Sequence, residues 1–180
     1  MTNQRVAFIV DQQFEDSELR VPYERIKEAG YEVVIIGREA GQALKGKKGK
    51  EVIKSEKSIR EVSADDFDAL VIPGGYSPDH LRTDSRMVAF VRSFFTQGKP
   101  LAAVCHAGWM LAEADVLVDR TVTSWPSIKT DLINAGANWV DREVVEDGNL
   151  ITSRKPDDLE AFSSAIIRQL HAAQLSHPVH

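Results

Sequence analysis

Short apolar runs alternate with amphipathic stretches along the first part of the chain, and their order predicts a strand, a helix and a second strand. The runs VAFIV at 6–10 and YEVVIIG at 31–37 have the length and composition of buried strands. Between them, the segment ending in YERIKEAG has apolar residues at helical spacing, and Gly30 stands where the residue after a helix C-terminus belongs. Pro22 should kink this helix or divide it. Two strands joined in this way pair in parallel.

The same alternation recurs in the middle of the chain. ALVIPGG at 69–75 is typical of a buried strand, SRMVAFVRSFFTQG at 85–98 of an amphipathic helix closed by Gly98, and PLAAVC at 100–105 of another strand. Near-continuous apolar strands between helices indicate a parallel sheet that is covered on both faces.

The rest of the chain continues the pattern with shorter elements. The predicted elements are a helix in AGWMLAEA at 107–114, a strand in TVTSW at 121–125, a helix in IKTDLINAG at 128–136, a hairpin or tight turn in REVVEDGNLITS at 142–153, and a last helix from about Asp157 to Gln174. The hairpin is indicated by the Asp147-Gly148 pair. No linker or repeat divides the chain, so the sequence predicts one α/β domain.

Composition narrows the functional classes. The chain has 180 residues, of which 43% are apolar and 27% charged, as expected of a globular domain. One cysteine excludes an internal disulfide, and a cytoplasmic location is expected. The absence of a leader-like or membrane-spanning apolar stretch predicts a soluble protein without a membrane anchor. The net charge of −5 argues against general attraction to nucleic acid.

Two further patterns were weighed as binding sites. The basic segment KGKKGK at 45–50 lacks the spacing and the final Ser or Thr of a P-loop, so we interpret it as a solvated loop between two strands, with phosphate or nucleic-acid binding as the alternative. His171, His177 and His180 do not have the spacing of a metal-ligand motif, and no metal site is predicted there.

The segment LAAVCHAGWM at 101–110 joins a predicted strand to a predicted helix and meets the steric requirement of a nucleophile elbow. The residues two before and two after the nucleophile must be small, and here they are Ala103 and Ala107. Cys105 takes the nucleophile position at a helix N-terminus, where free N–H groups and the helix dipole favour a thiolate. The alternative is that Cys105 is an inert, small apolar residue of the core.

Other groups should meet Cys105 at the carboxyl edge of the sheet, where open parallel sheets bind ligands. His106 offers a base or a cationic partner. The PGG motif, with Gly74 and Gly75, offers backbone N–H groups to an oxyanion, although a simple turn is the alternative. Glu15, in FEDSEL at 14–19, would stay protonated if it is partly buried and would then donate a hydrogen bond to a thiolate or sulfenate.

For the neighbouring Asp16 we prefer a simpler role as a first-turn residue that the helix dipole favours.

The motifs FEDSEL, FDALVIPGG, KPLAAVCHAG, LINAGANWVD and DGNLITSRKPDDL, in this order, resemble the PfpI intracellular-protease family. That family belongs to the class I glutamine amidotransferase-like superfamily, alongside the parkinsonism-associated deglycases. The resemblance covers essentially the whole chain. It implies a flavodoxin-like α/β fold for a single domain over 1–180, with a doubly wound, mostly parallel sheet, helices on both faces and a nucleophile elbow.

The resemblance also implies roles for individual residues. Cys105 is the nucleophile, His106 its base, and Glu15 the carboxyl group that contacts the sulfur. Gly75 and the backbone of His106 form the oxyanion hole. Gly74 and Ala107 are assigned to the same oxyanion and substrate-binding region.

One position departs from the family archetype. In relatives called proteases, an acidic residue just after PGG reaches the Cys-His pair of an adjacent subunit. The matching residue here is Asp79, which is shorter than the archetypal glutamate and must approach more closely to orient His106. A homodimer or a higher homo-oligomer is implied by the resemblance.

The leading hypothesis is a stress-protective hydrolase or lyase that acts through a Cys105 thiolate on small carbonyl compounds or glycation adducts, as a deglycase or a cofactor-independent glyoxalase. It requires no organic cofactor or metal, and nucleic acid is expected only as a glycated substrate. One alternative is an intracellular cysteine peptidase whose triad of Cys105, His106 and Asp79 forms across subunits. The other is a non-catalytic redox sensor or chaperone in which Cys105 is oxidised.

Overall fold

The computed structural model describes residues 4–176. Over these residues the chain forms six α-helices, numbered in chain order: α1 Asp16–Glu28, α2 Ser77–Leu81, α3 Ser85–Thr96, α4 Gly108–Glu113, α5 Lys129–Asn134 and α6 Leu159–Ser176. It also forms eleven strands: β1 Arg5–Ile9, β2 Glu32–Gly37, β3 Ala43–Lys45, β4 Val52–Lys54, β5 Lys57–Ser58, β6 Ala69–Ile72, β7 Leu101–Val104, β8 Thr121–Val122, β9 Asn138–Trp139, β10 Val144–Asp147 and β11 Leu150–Ser153.

Seven strands form the central sheet, in the order β10-β11-β7-β6-β1-β2-β5. Neighbouring strands pair in parallel, except that β10 and β11 are antiparallel. From β1 the chain first builds outward to β2 and then returns to add β6 on the other side of β1. Such a reversal creates a crevice at the carboxyl ends of the strands, where open α/β sheets bind ligands. The predicted doubly wound, mostly parallel α/β fold is confirmed.

Successive residues of the central strands point into two separate cores. Phe8 of β1 faces the core that contains Ile26 of α1 and Phe162 of α6. Ile9, the next residue, faces the opposite core, which contains Phe94 of α3. All five side chains are fully buried, and burial of a large apolar side chain stabilises a fold by about 1.5–3 kcal/mol. Helices therefore cover both faces of the sheet, as predicted.

Local predictions are confirmed at several turns and corrected at one. Gly30 has φ +97° just after α1, and Gly148 has φ +59° between the antiparallel strands β10 and β11. Strands β3 and β4 pair around the loop that contains KGKKGK. Helix α1, however, is not divided at Pro22, because it runs continuously through this residue.

Within residues 4–176, no helix combines the length and the apolar character needed to cross a bilayer.

Candidate active site

Cys105 lies in a strained turn between a strand and a helix. β7 ends at Val104, a single 3₁₀ turn covers Cys105–Ala107, and α4 begins at Gly108. Cys105 has φ +62°, a left-handed conformation that is uncommon for a residue with a side chain. Ala103 and Ala107 are buried, so no bulk collides on either side of the turn. The local geometry is that of the predicted nucleophile elbow.

The sulfur of Cys105 is surrounded by hydrogen-bonding groups. The backbone N–H groups of Gly75 and His106 both hydrogen-bond to it. The Nδ1 atom of His106 lies 3.3 Å from Sγ. The side chain is largely buried, with 9% of the residue exposed. Cys105 is therefore not an inert core residue, because polar groups converge on its sulfur.

Gly74 and Gly75 are held against the segment that precedes α1. The N–H of Glu15 donates to the carbonyl of Gly74 at 3.1 Å, and Phe14 forms an isolated antiparallel bridge with Gly75. Gly75 has φ +79°, which favours glycine. A Cβ atom on Gly74 would lie 2.5 Å from Glu18 Oε1 and 2.9 Å from Cys105 Cβ. Because Gly74 and Gly75 have no side chains, the turn after β6 and the segment before α1 can both approach Cys105.

The carboxyl group beside the sulfur belongs to Glu18, and the expectation for Glu15 is wrong. Glu18 is completely buried, and its side chain hydrogen-bonds with that of Cys105. Its Oε1 accepts the N–H of Gly74 at 2.9 Å, while Oε2 has no nitrogen or oxygen partner among the described residues. Burial, and then the charge of Glu15, raises the pKa of Glu18 to about 8. A protonated Glu18 carboxyl group can donate a hydrogen bond to the sulfur.

Glu15 instead forms ion pairs with the basic loop. Its carboxylate oxygens lie 2.7 Å from Lys47 Nζ and 2.8 Å from Lys48 Nζ. Burial opposes ionisation of Glu15, but the hydrogen bonds and charges of the two lysines outweigh burial and lower its pKa. Glu15 is thus an ionised residue beside the site rather than a protonated donor to the sulfur.

The loop between β3 and β4 is more than a solvated connection. The carboxylate of Asp16 accepts the backbone N–H groups of Lys48, Lys50 and Glu51 at 2.8–2.9 Å. Asp16 does lie in the first turn of α1, as predicted, but its carboxylate accepts hydrogen bonds from the loop between β3 and β4. Gly46 is required there, because a Cβ atom at this position would collide with that carboxylate. These hydrogen bonds to Asp16 hold the loop so that Lys47 and Lys48 lie beside Glu15.

Cys105 and Glu18 form a coupled pair of buried acids. Burial, and then the charge of an ionised Glu18, raises the pKa of the Cys105 thiol, whereas the N–H groups of His106 and Gly75 oppose this rise. Burial and the Glu18 charge therefore oppose the lowering of the thiol pKa that the helix N-terminus alone predicts. Two adjacent acids in a dry site cannot both ionise easily. A thiolate at Cys105 requires the proton to remain on Glu18.

His106 contacts side chains from several elements. Its Nε2 atom lies 3.2 Å from Ser127 Oγ, and its ring packs edge-on against Trp109 with a centroid separation of 5.1 Å. Burial, and then the charge of Lys47, lowers the pKa of His106. The imidazole is therefore neutral near pH 7.

Asp79 does not join the site within one chain. It is an exposed residue of α2, and its side chain makes no hydrogen bond or ion pair with a described residue. The prediction that it reaches His106 of another subunit remains a prediction. His177 and His180, which were weighed as metal ligands, lie outside the described residues. Among the described residues, no group of three or more His, Cys, Asp or Glu side chains is arranged to hold a metal ion.

Sequence reasoning missed three contributors to the site: Glu18, Lys47 and Ser127. For Glu18 a signal was present, because it lies four residues before Pro22 and eight before Ile26, on the buried stripe of α1. A glutamate on such a stripe needs a partner or a proton. Lys47 and Ser127 carried no comparable local signal.

These features define an α/β protein with a cysteine nucleophile elbow at the carboxyl edge of a parallel sheet, where a buried glutamate and a histidine contact the sulfur.

Comparison with known proteins agrees with this class. The model of the DJ-1/PfpI family matches residues 4–169, and the chain belongs to this family. Over 171 residues it is 46% identical to Protein/nucleic acid deglycase 2 of Escherichia coli (strain K12), and the alignment covers 94% of this chain and 99% of that protein. It is 45% identical over 166 residues to Deglycase PfpI of Pyrococcus furiosus, with coverage of 92% and 99%. The crystal structure of Drosophila melanogaster DJ-1beta superposes with a TM-score of 0.86 at 29% identity, over 97% of each chain.

Proposed function

We propose that this protein is a cytoplasmic, cysteine-dependent enzyme of carbonyl or glycation chemistry, acting as a deglycase or a cofactor-independent glyoxalase. The observation that carries the proposal is the environment of Cys105 Sγ. This atom is held in a left-handed turn, contacts buried Glu18, accepts two backbone N–H groups and lies 3.3 Å from His106 Nδ1. Two relatives of similar length named deglycases support the same class of chemistry.

In the proposed reaction with methylglyoxal, the Cys105 thiolate adds to the aldehyde carbon and forms a hemithioacetal. The N–H groups of Gly75 and His106 stabilise the oxygen anion that develops. His106 removes the proton from this carbon and returns one to the adjacent carbon, which yields a thioester of lactate. Water then cleaves the thioester, releases lactate and restores the thiol. An early glycation adduct, a hemiaminal, first breaks its C–N bond as its hydroxyl proton passes to the amine, and the thiolate then adds to the aldehyde so released.

The test is turnover of methylglyoxal, of glycated amino acids and of an unmodified peptide by purified protein. We expect methylglyoxal or a glycated amino acid to be consumed, and Cys105→Ser to lower the rate by about a thousandfold or more. An unchanged rate in this variant would remove the mechanism. Hydrolysis of the peptide alone would favour the cysteine peptidase with a triad across subunits.

A second candidate function is redox sensing, favoured by the buried Glu18 carboxyl group that contacts the Cys105 side chain. A protonated carboxyl group there stabilises a sulfenate or sulfinate formed at Cys105 by peroxide. Intact mass after mild peroxide treatment tests this function. A mass increase from added oxygen in the wild-type protein, but not in Glu18→Gln, supports the function. An unchanged mass of the wild-type protein contradicts it.

A further inference from the structure

We propose that Ser127 is a positioning residue for His106, whose ring it holds from within the same chain by a hydrogen bond to the nitrogen facing away from Cys105. The inference deepens the proposed function, in which His106 moves protons, and it rests on that function only for its kinetic consequence. The contact itself does not depend on which substrate the enzyme takes.

Both ring nitrogens of His106 have partners. Nδ1 lies 3.3 Å from Cys105 Sγ, and Nε2 lies 3.2 Å from Ser127 Oγ. The ring also packs edge-on against Trp109, whose indole N–H donates to Asp131 at 2.9 Å. These contacts leave one ring orientation in which Nδ1 faces the sulfur. A carboxylate from another copy of the chain would have to displace the Ser127 hydroxyl group to bind Nε2.

The backbone around Ser127 is hydrogen-bonded to the elbow itself. The N–H of Trp125 donates to the carbonyl of Cys105 at 3.3 Å. A 3₁₀ turn then spans Pro126–Ile128, and the side chain of Ile128 is buried in the core. Ser127 lies between these two anchors, so its position is tied to that of the nucleophile.

The Ser127 hydroxyl group can both donate and accept a hydrogen bond. A hydroxyl group accepts from Nε2–H when Nδ1 is a free base, and it donates to Nε2 when Nδ1 carries the ring's only proton. A carboxylate can only accept, and it stabilises the imidazolium form. Removing and returning the substrate proton takes Nδ1 between its free and protonated states while Nε2 keeps its proton, and the Ser127 hydroxyl group accepts from Nε2–H in both states.

Several charged or titratable groups face His106 and bear on this argument. Lys47, from the loop between β3 and β4, acts on the ring through its charge. Cys105 contacts the ring directly, and Glu18 lies behind the sulfur. Asp131 and Arg82 contact Trp109, against which the His106 ring packs. Among these groups none is a carboxylate bonded to His106, so a neutral partner at Nε2 fits the lowered pKa of the ring.

The test uses full-length protein and four variants: Ser127→Ala, Ser127→Thr, Ser127→Asp and, as a matched control, Thr130→Ala. Thr130 is an exposed residue three positions further on, whose hydroxyl group makes no hydrogen bond with a described residue. The primary readout is the pair of ¹⁵N resonances of the His106 ring across pH, without substrate. The second readout is kcat and KM for methylglyoxal.

We expect Ser127→Ala to change the tautomer populations of His106 and to lower kcat about tenfold with little change in KM. Ser127→Thr, which keeps a hydroxyl group, should leave the tautomer populations and kcat close to those of the wild-type protein. Ser127→Asp should raise the pKa of His106 and move the acidic limb of the pH profile of kcat to higher pH. Unchanged ring resonances in Ser127→Ala, or equal changes in Thr130→Ala, would overturn the proposal. Because the resonances are read without substrate, they decide the role of Ser127 even if methylglyoxal is not turned over.

Discussion

Glu15 and Glu18 lie three residues apart at the start of one helix, and the fold gives them opposite environments. Glu15 faces Lys47 and Lys48, which lower its pKa. Glu18 faces the Gly74 N–H and the Cys105 thiol without a paired cation, and its pKa rises to about 8. Sequence neighbours can thus have unlike chemistry, because the helix turns one toward a basic loop and the other toward the dry interior.

This contrast separates two kinds of contribution to the site. Glu15 organises the charge of the loop that borders the site. Glu18 holds a proton next to the nucleophile, and in our proposal it decides whether a thiolate can exist there.

The largest expected effect is on the pH dependence of stability. A group whose pKa is raised in the folded state stabilises the fold fully below its unfolded pKa and loses this contribution as the pH rises through its folded pKa. For Glu18 the window runs from about 4.5 to about 8, and the rise corresponds to a loss on the order of 5 kcal/mol. Glu18→Gln should flatten this fall in the free energy of unfolding, measured by urea titration at several pH values.

Glu15→Gln is the matched control with the opposite sign. The pKa of Glu15 is lowered, so its contribution is present above its unfolded pKa and disappears as the pH falls through the folded pKa. This variant should lose stability at neutral pH and lose little in acid. Equal pH profiles for the two variants would contradict the contrast between the carboxyl groups.

The next effect is on turnover. Glu18→Gln replaces a carboxylic acid donor beside the sulfur with a weaker amide donor, and we expect kcat for methylglyoxal at neutral pH to fall about a hundredfold. Glu15→Gln should change it by about threefold or less, because its carboxylate contacts the lysines rather than the sulfur. Rates measured side by side would refute the assignment if Glu15→Gln caused the larger loss.

A smaller effect is expected at Gly74, the backbone contact of Glu18. Alanine there places a Cβ atom 2.5 Å from Glu18 Oε1 and 2.9 Å from the Val104 carbonyl oxygen. We expect Gly74→Ala to lower the free energy of unfolding by about 2 kcal/mol. Gly108→Ala is the control, since its Cβ atom would meet the flexible end of Leu132 at 3.0 Å. Similar thermal unfolding of both variants would argue against the close packing around Gly74.

The smallest effect separates the two lysines. Lys47 lowers the pKa of His106 and also interacts with Cys105, whereas no such effect on His106 is found for Lys48. Lys47→Gln should therefore raise the pKa of His106 by about half a unit, and Lys48→Gln should leave it nearly unchanged. Titration of the His106 ring by NMR measures both values, and equal shifts would show that the two lysines act alike.

Much of the fold followed from local patterns. The apolar runs predicted β1, β2, β6 and β7, because a sheet covered on both faces requires nearly continuous apolar strands. The elbow was predicted because its steric rule involves only residues two positions from Cys105.

Which carboxyl group contacts the Cys105 sulfur could not be predicted from the sequence as easily. Both Glu15 and Glu18 follow β1, and choosing between them requires the starting residue of α1, which fixes which side chain faces inward. The partners of Glu15 also depend on a loop some thirty residues away in sequence, held by the hydrogen bonds of Asp16. Contacts between distant segments of this kind leave no local pattern.

The most direct test of the account is the pH dependence of Cys105 alkylation in the wild-type protein, Glu18→Gln and Glu15→Gln. We expect the midpoint to rise by about one pH unit or more in Glu18→Gln, because the thiolate loses a carboxylic acid donor, and to fall slightly in Glu15→Gln, because two lysine charges are released. A lower midpoint in Glu18→Gln would show that Glu18 is ionised against the sulfur, and it would contradict the account.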